Sequence, residues 1–191
     1  PVLTAEADQD VDINTTTGCT VTIPDVMGSA TDNCTVSITQ SPTVATSVMT
    51  SHNDTIQVLV TATDAAGNTD VHTVILTAKD ITAPTITCPS AITGVPTNAP
   101  GCMATLASIS LGIPTTADNC TVASVTNNAP ALFPVGTTTV TWTVTDGAGL
   151  TATCTQNVTV VNTLVANSMP AGQTVAQNVS TTSNVTFAGT G

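Results

Sequence analysis

FPVGTTTVTWTVTDGAGLTATCTQNVTV, residues 133–160, decides the fold. Within it Val140, Trp142 and Val144 alternate with Thr139, Thr141, Thr143 and Thr145. A side-chain period of two puts the apolar groups on one face of a strand and the threonines on the other. Asp146-Gly147-Ala148-Gly149 supplies a tight turn, and residues 151–160 return as a second strand ending in Val158 and Val160. The stretch is a β-hairpin that closes a module, since the pattern before it is of the same kind and the text after Thr163 changes character.

Outward from the hairpin, threonine and valine remain abundant and no stretch keeps a 3.6-residue apolar period. The 191 residues therefore read as all-β, with room for one or two modules. Lys79 is the only basic side chain besides two histidines, against a formal net charge of -11. Nucleic-acid binding needs several cations to neutralise phosphates, and phosphoryl transfer needs at least one placed cation, so neither is expected. The acidic balance instead favours solubility and an affinity for divalent cations. No apolar run approaches the roughly 20 residues of a membrane helix, so no membrane insertion is expected. Six cysteines, none in CxxC spacing, read as a disulfide framework made in an oxidising compartment, hence an extracellular or cell-surface location. With neither an initiator Met nor a signal peptide, Pro1 is expected to begin a processed chain or a section of a longer one.

The chain repeats itself. Pro1-Val-Leu-Thr aligns with Pro84-Thr-Ile-Thr and Gly18-Cys19 with Gly101-Cys102, both at a shift of 83 residues. Asp32-Asn33-Cys34 aligns with Asp118-Asn119-Cys120 at 86, and Thr63-Asp64-Ala65-Ala66-Gly67 with Thr145 to Gly149 at 82. Residues 1–80 and 84–163 are thus two copies of one module, joined through Lys79 to Ala83. A short junction ending at a proline predicts limited freedom between them, and a semi-rigid rod.

The repeat also suggests a disulfide pattern. The second module has Cys88, Cys102, Cys120 and Cys154, whereas the first has only Cys19 and Cys34, with Ala5 and His72 at the outer positions. Pairing Cys88 with Cys154 and Cys102 with Cys120 leaves no orphan thiol in the first module, which predicts Cys19 with Cys34 there. The long Cys88 to Cys154 loop adds on the order of 4 kcal/mol in a chain-entropy model, so the first module is expected to melt below the second. Residues 164–191 contain strand-like pieces but too little apolar material for a core. They read as the opening of another domain, a strand donated to a neighbour, or a tail.

Cys88-Pro89, the Asp118-Asn119-Cys120 triplet, Phe133 to Gly149 and the closing Thr151 to Cys154 together resemble the hyalin repeat, or HYR, domain. The resemblance is strong over residues 84–163 and degenerate over 1–80, which lack the outer cysteines and the FPVG segment. It implies two tandem immunoglobulin-like β-sandwiches plus a short β-rich C-terminal segment. It further implies extracellular proteins associated with adhesion, and no enzymatic activity; apart from calcium as a candidate ion, no cofactor is expected.

Several residues are candidates for a site. Asp8, Asp10 and Asp12 alternate along one strand face; they read as a solvated edge or as calcium ligands, although Ile13 stands where a calcium loop needs glycine. Asp32 and Asp118 recur beside a cysteine and Asp80 lies in the junction, so these too read as turn caps or as calcium ligands that stiffen a rod. Asp64 and Asp146 are expected to form turns. His52 and His72 lack partner spacing for a metal or a catalytic triad and are expected to be surface or strand filler. Trp142 is expected in the core. Asn53 begins one of several N-x-[ST] matches, and Asp54-Thr55-Ile56 resembles a bacterial O-glycosylation motif, which makes Asn53 and Thr55 glycosylation candidates.

No nucleophile, base or zinc motif is present, so no enzyme is expected. The sequence reads as a structural section of an adhesin stalk or extracellular filament, with neighbouring modules or further copies as partners. Two alternatives are a module binding a surface glycan or protein, which would draw on Phe133 and Phe187, and an accessory domain of a larger secreted enzyme.

Overall fold

The computed structural model describes residues 1–16 and 18–162. The expectations for 164–191, Phe187 included, lie outside these residues. The first half contains β1 (Val2–Thr4), β2 (Gln9–Asp12), β3 (Thr20–Thr22), β4 (Ser29–Thr31), β5 (Val36–Ser41), β6 (Ser47–Met49), β7 (Thr55–Asp64) and β8 (Thr69–Lys79). The second contains β9 (Thr85–Thr87), β10 (Ile92–Pro96), β11 (Met103–Thr105), β12 (Thr115–Ala117), β13 (Val122–Asn127), β14 (Leu132–Pro134), β15 (Gly136–Asp146) and β16 (Thr151–Val161). A single 3-10 turn at Leu106–Ser108 is the only helical element among the described residues.

The topology repeats with the sequence. A four-stranded sheet of order β2-β8-β7-β5 is accompanied by the ribbons β1-β4 and β3-β6, and the second half has β10-β16-β15-β13 with β9-β12 and β11-β14. In both copies the first sheet strand runs parallel to the last, β2 with β8 and β10 with β16, and the other pairs are antiparallel. The hairpin read from 133–160 forms as β15 and β16, in register from Gly136↔Val160 to Thr145↔Thr151.

Each module buries the apolar face of its sheet against its ribbons. Val140 and Trp142 of β15 and Val158 and Val160 of β16 pack with Val95, Ala104 and Phe133. In the first module Val58, Val60, Val74 and Leu76 pack with Ile23 and Val26. Phe133 is fully buried, and deleting its ring would cost ~3–5 kcal/mol. Ala104 pairs with Phe133 where Val21 pairs with Val48, a large-small exchange that conserves core volume. Trp142 is a core residue, with its Nε1–H donating to Gln156 Oε1 at 3.1 Å. Phe133 and Trp142 thus offer no exposed ring for sugar stacking.

The strands give each module two poles, and this corrects the disulfide expectation. β7 and β8 are about ten residues long, so their ends lie roughly 30 Å apart. Cys34 follows β4, next to the Val36↔Asp64 pair at the hairpin-turn end. Cys19 lies at the Lys79 end, where Ile13 N donates to the Lys79 carbonyl and Thr50 N to the Cys19 carbonyl. A Cys19 to Cys34 bridge would have to cross the length of the module. Instead Cys19 bonds Cys120, with Cα atoms 4.5 Å apart, because the Lys79 pole of the first module abuts the pole of the second that carries Cys120. The expected Cys102 to Cys120 bridge fails for the same reason, and Cys34 and Cys102 are exposed free thiols. Cys88 and Cys154 are bonded within the second module, with a Cα separation of 5.7 Å.

Candidate functional site at the module junction

The junction is built from three loops. The loop after β2 brings Ile13, Asn14, Gly18 and Cys19; the segment after β8 brings Asp80; the turn before β13 brings Asp118, Asn119 and Cys120. Gly18 N and Cys19 N both donate to the Asn119 carbonyl at 3.1 Å. Cys19 reaches this geometry with φ 48, following Gly18 at φ 117, so the Gly-Cys corner is a left-handed turn that aims two N–H groups at the next module. Asn119 Nδ2 donates to the Asn14 carbonyl at 3.1 Å and to Asp80 Oδ1 at 3.2 Å. Beneath these bonds Ile13, Val21 and Ala78 form a small apolar cluster that Cys19 and Cys120 join.

Three carboxylates converge here. One oxygen from each of Asp80, Asp118 and Asp146 lies within 4.8 Å of the others. Asp80 and Asp146 are buried and Asp118 is half-buried. Each is positioned by local backbone. Asp80 Oδ1 accepts from Thr82 N at 3.1 Å, Asp118 Oδ2 from Cys120 N at 2.9 Å, and Asp146 Oδ1 from Ala148 N and Leu150 N. The remaining oxygens of two of them, Asp118 Oδ1 and Asp146 Oδ2, are buried without a hydrogen-bond partner, as is Asn119 Oδ1. His52 Nδ1 accepts the Asp80 backbone N–H at 3.0 Å, so this half-buried histidine is a brace of the junction rather than filler.

The structure brings together Asp80 and Asp118 of the sequence candidates and adds Asp146, which its turn role had concealed. Asp32 lies at the far pole of the first module, paired with the Pro1 α-ammonium at 2.8 Å. That contact lowers the Asp32 pKa and raises that of the Pro1 amine. Asp10 and Asp12 sit on the edge strand β2, with Asp8 just before it, and all three lie outside the cluster. Asp8 Oδ1 accepts from Ile75 N, Asp10 is 3.9 Å from Lys79 Nζ, and Asp12 is exposed. Among the glycosylation candidates, Thr55 is exposed at the start of β7, and Asn53 Oδ1 accepts from Lys79 Nζ at 2.8 Å.

Residues 79–160 match the HYR domain. The HYR segment thus runs from the end of β8 almost to the end of β16, and it contains Asp80, Asp118 and Asp146. The match supports an extracellular, adhesion-type module, and no described helix is long and apolar enough to cross a membrane. Among curated proteins, none matches the chain. Among solved structures it is similar to the fibronectin(III)-like modules of Clostridium thermocellum CbhA, at 14% identity and TM-score 0.32, covering 84% of this chain and 95% of that one. It is also similar to human mucin-like protocadherin EC1-2, at 15% identity and TM-score 0.39, with 84% and 98% covered. Drosophila N-cadherin EC1-4 matches at 13% identity and TM-score 0.37, with 85% of this chain and 50% of that chain covered.

Proposed function

We propose that this chain is a non-enzymatic structural section of an extracellular adhesin stalk or filament, whose work is to hold consecutive modules at a fixed angle. The supporting observation is the joint itself. A disulfide between Cys19 and Cys120, two backbone hydrogen bonds onto the Asn119 carbonyl and a shared apolar cluster connect modules that a five-residue linker already joins. A flexible pair of binding modules needs none of these contacts. A load-bearing rod gains from each of them, since they add restraint to bending beyond that of the short linker. The partners are then neighbouring modules or copies of the same kind, arranged pole to pole.

The test is the angle between modules, read from negatively stained particles of the 191-residue chain. The oxidised protein should show one narrow distribution of inter-module angle, and Cys19→Ser a distribution at least twice as wide. Equal widths would remove the rigid-joint reading and favour a module whose work is binding.

A further inference from the structure

We infer that Asp80, Asp118 and Asp146 form a binding site for a hard divalent cation, calcium, at the module junction. Three carboxylates within 4.8 Å of one another repel unless something neutralises them. The only Lys or Arg of the chain cannot do so, because Lys79 Nζ is directed at Asn53 Oδ1 and Asp10.

Comparison of the two modules sharpens the point. In the first, Asp64 occupies the position of Asp146, and its Oδ2 accepts from Asn68 Nδ2 at 2.7 Å. In the second, Leu150 replaces that asparagine and has no donor to offer, so Asp146 Oδ2 stays buried and unpartnered. Asp32 occupies the position of Asp118, and its Oδ1 accepts from Asn33 N. The first module thus meets the Asp64 carboxylate with a side-chain donor, whereas at the junction Asp118 and Asp146 each keep one buried oxygen without a partner. A buried acceptor left without a partner keeps its full desolvation cost, which is larger still when the group is charged.

The donor set is all oxygen, with no thiolate or imidazole nitrogen, which selects a hard cation over zinc. Calcium takes ligands at about 2.3–2.6 Å, so opposite ligands lie up to roughly 5 Å apart. Oxygens within 4.8 Å of one another therefore fit around it as they stand. Magnesium demands ligands at about 2.0–2.1 Å in near-octahedral order and keeps several of its waters, so three converging, largely buried carboxylates suit it less well. Because Asp80 belongs to the linker and Asp118 and Asp146 to the second module, bound calcium would fix the linker against the second module. That consequence rests on the rod reading, whereas the site itself does not.

Thermal unfolding of the 191-residue chain with calcium or chelator tests the site. A hundredfold excess of calcium over its Kd should raise Tm by about 5–10 °C. Asp146→Asn keeps the Oδ1 acceptor of the turn and removes the charge. It should melt at or above wild type in chelator and lose the calcium shift, while Asp12→Asn keeps it. The site is overturned if millimolar calcium leaves wild-type Tm unchanged, or if Asp146→Asn responds as wild type does. An equal shift with magnesium overturns the assignment to calcium. A failed cation site beside a narrow angle distribution would leave the rod reading standing, and the reverse pair of results would leave the site.

A second inference comes from the cysteines. The joint uses a Gly-Cys corner, Gly18-Cys19, and an Asp-Asn-Cys turn ending in Cys120. The other copies of these two elements are Gly101-Cys102 and Asp32-Asn33-Cys34. Cys102 repeats the left-handed corner with φ 57, after Gly101 at φ 78, and both thiols are free and exposed. By the repeat, Cys102 lies at the trailing pole of the second module and Cys34 at the leading pole of the first. The geometry points to a second copy of this chain as the partner, its Cys34 bonding Cys102 in a head-to-tail copy of the internal joint. The two thiols lose two protons and two electrons, which reduce a low-molecular-weight disulfide to two thiols as the S–S bond forms.

The chain should be held in an oxidised and reduced glutathione buffer, run on non-reducing gels, and its crosslinked peptides identified by mass. A ladder of multimers carrying Cys34 to Cys102 peptides is expected, and both Cys34→Ser and Cys102→Ser should stop it at dimers or monomers. A wild type that stays monomeric, a ladder that survives Cys34→Ser, or crosslinks of Cys34 to Cys34 would overturn the inference. So would Cys34 of native material bonded to a peptide foreign to this sequence.

Discussion

Cys19 and Cys120 stand 101 residues apart in the chain and 4.5 Å apart at their Cα atoms, one at the trailing pole of the first module and the other at the leading pole of the second. The bridge closes a loop that contains nearly all of the first module's remaining strands and the first strands of the second. Chain-entropy reasoning gives on the order of 4.7 kcal/mol for a loop of about 100 residues, with the division between entropy and enthalpy model-dependent. It therefore makes the stability of one module depend on the other.

The connectivity can be read with one protease. Lys79 is the sole Lys or Arg and precedes the linker, so trypsin divides the unfolded chain into residues 1–79 and 80–191. If free thiols are alkylated first and the chain is digested in urea without reductant, the two fragments should stay joined and separate only on reduction. Fragments that separate without reductant would mean that every bridge lies within a module.

The hairpin and the repeat were legible because both are local: alternation at Val140, Trp142 and Val144 survives in any context, and a shift of 83 residues can be seen by alignment alone. Bridging was not legible, because equivalent cysteines in two copies satisfy the same arithmetic whether they pair within a module or across a joint. Only the strand lengths, which put Cys19 and Cys34 at opposite poles, separate the two. Asp80 and Asp118 were readable as junction carboxylates. Asp146 was hidden by its turn role, and the signal that exposes it is the exchange of Asn68 for Leu150 four residues after the turn aspartate.

Gln156 anchors the second core. Its side chain is 2% exposed; Oε1 accepts from Trp142 Nε1, and Nε2 donates to the Ser90 and Leu111 carbonyls at 2.9 Å. Gln156→Leu retains the volume and strands one donor and two acceptors. A loss of about 2–4 kcal/mol is expected in guanidinium unfolding followed by Trp142 fluorescence. An unchanged midpoint would mean that water replaces the amide.

Gly28 marks a close backbone approach in the first module. It has φ 65, and a Cβ there would collide with the Thr4 carbonyl oxygen and stand 2.9 Å from Ala5 Cα. Gly28→Ala should cost about 2 kcal/mol or more by forcing β1 away from β4. Tm measured with the Cys19 to Cys120 bridge intact checks it, and a shift under 1 °C would refute the close approach.

Acid should weaken the first module through Asp64. Its carboxyl is held below the ordinary value of 3.8, first by the Asn68 side-chain amide and then by the Asn68 and Ala66 backbone N–H groups, which together outweigh burial. Near that pH the unfolded chain binds more protons at this position than the folded one. The stabilisation is therefore complete above about pH 5 and is lost as pH falls through the depressed folded value. Asp64→Asn cannot titrate there, so it should start less stable at pH 7 yet lose less between pH 5 and 2 than wild type. Urea midpoints across that range, taken in chelator so that a bound cation does not contribute, compare the two slopes. Parallel curves would place the acid sensitivity at Asp32, whose partner is the Pro1 ammonium, rather than at the hairpin turn.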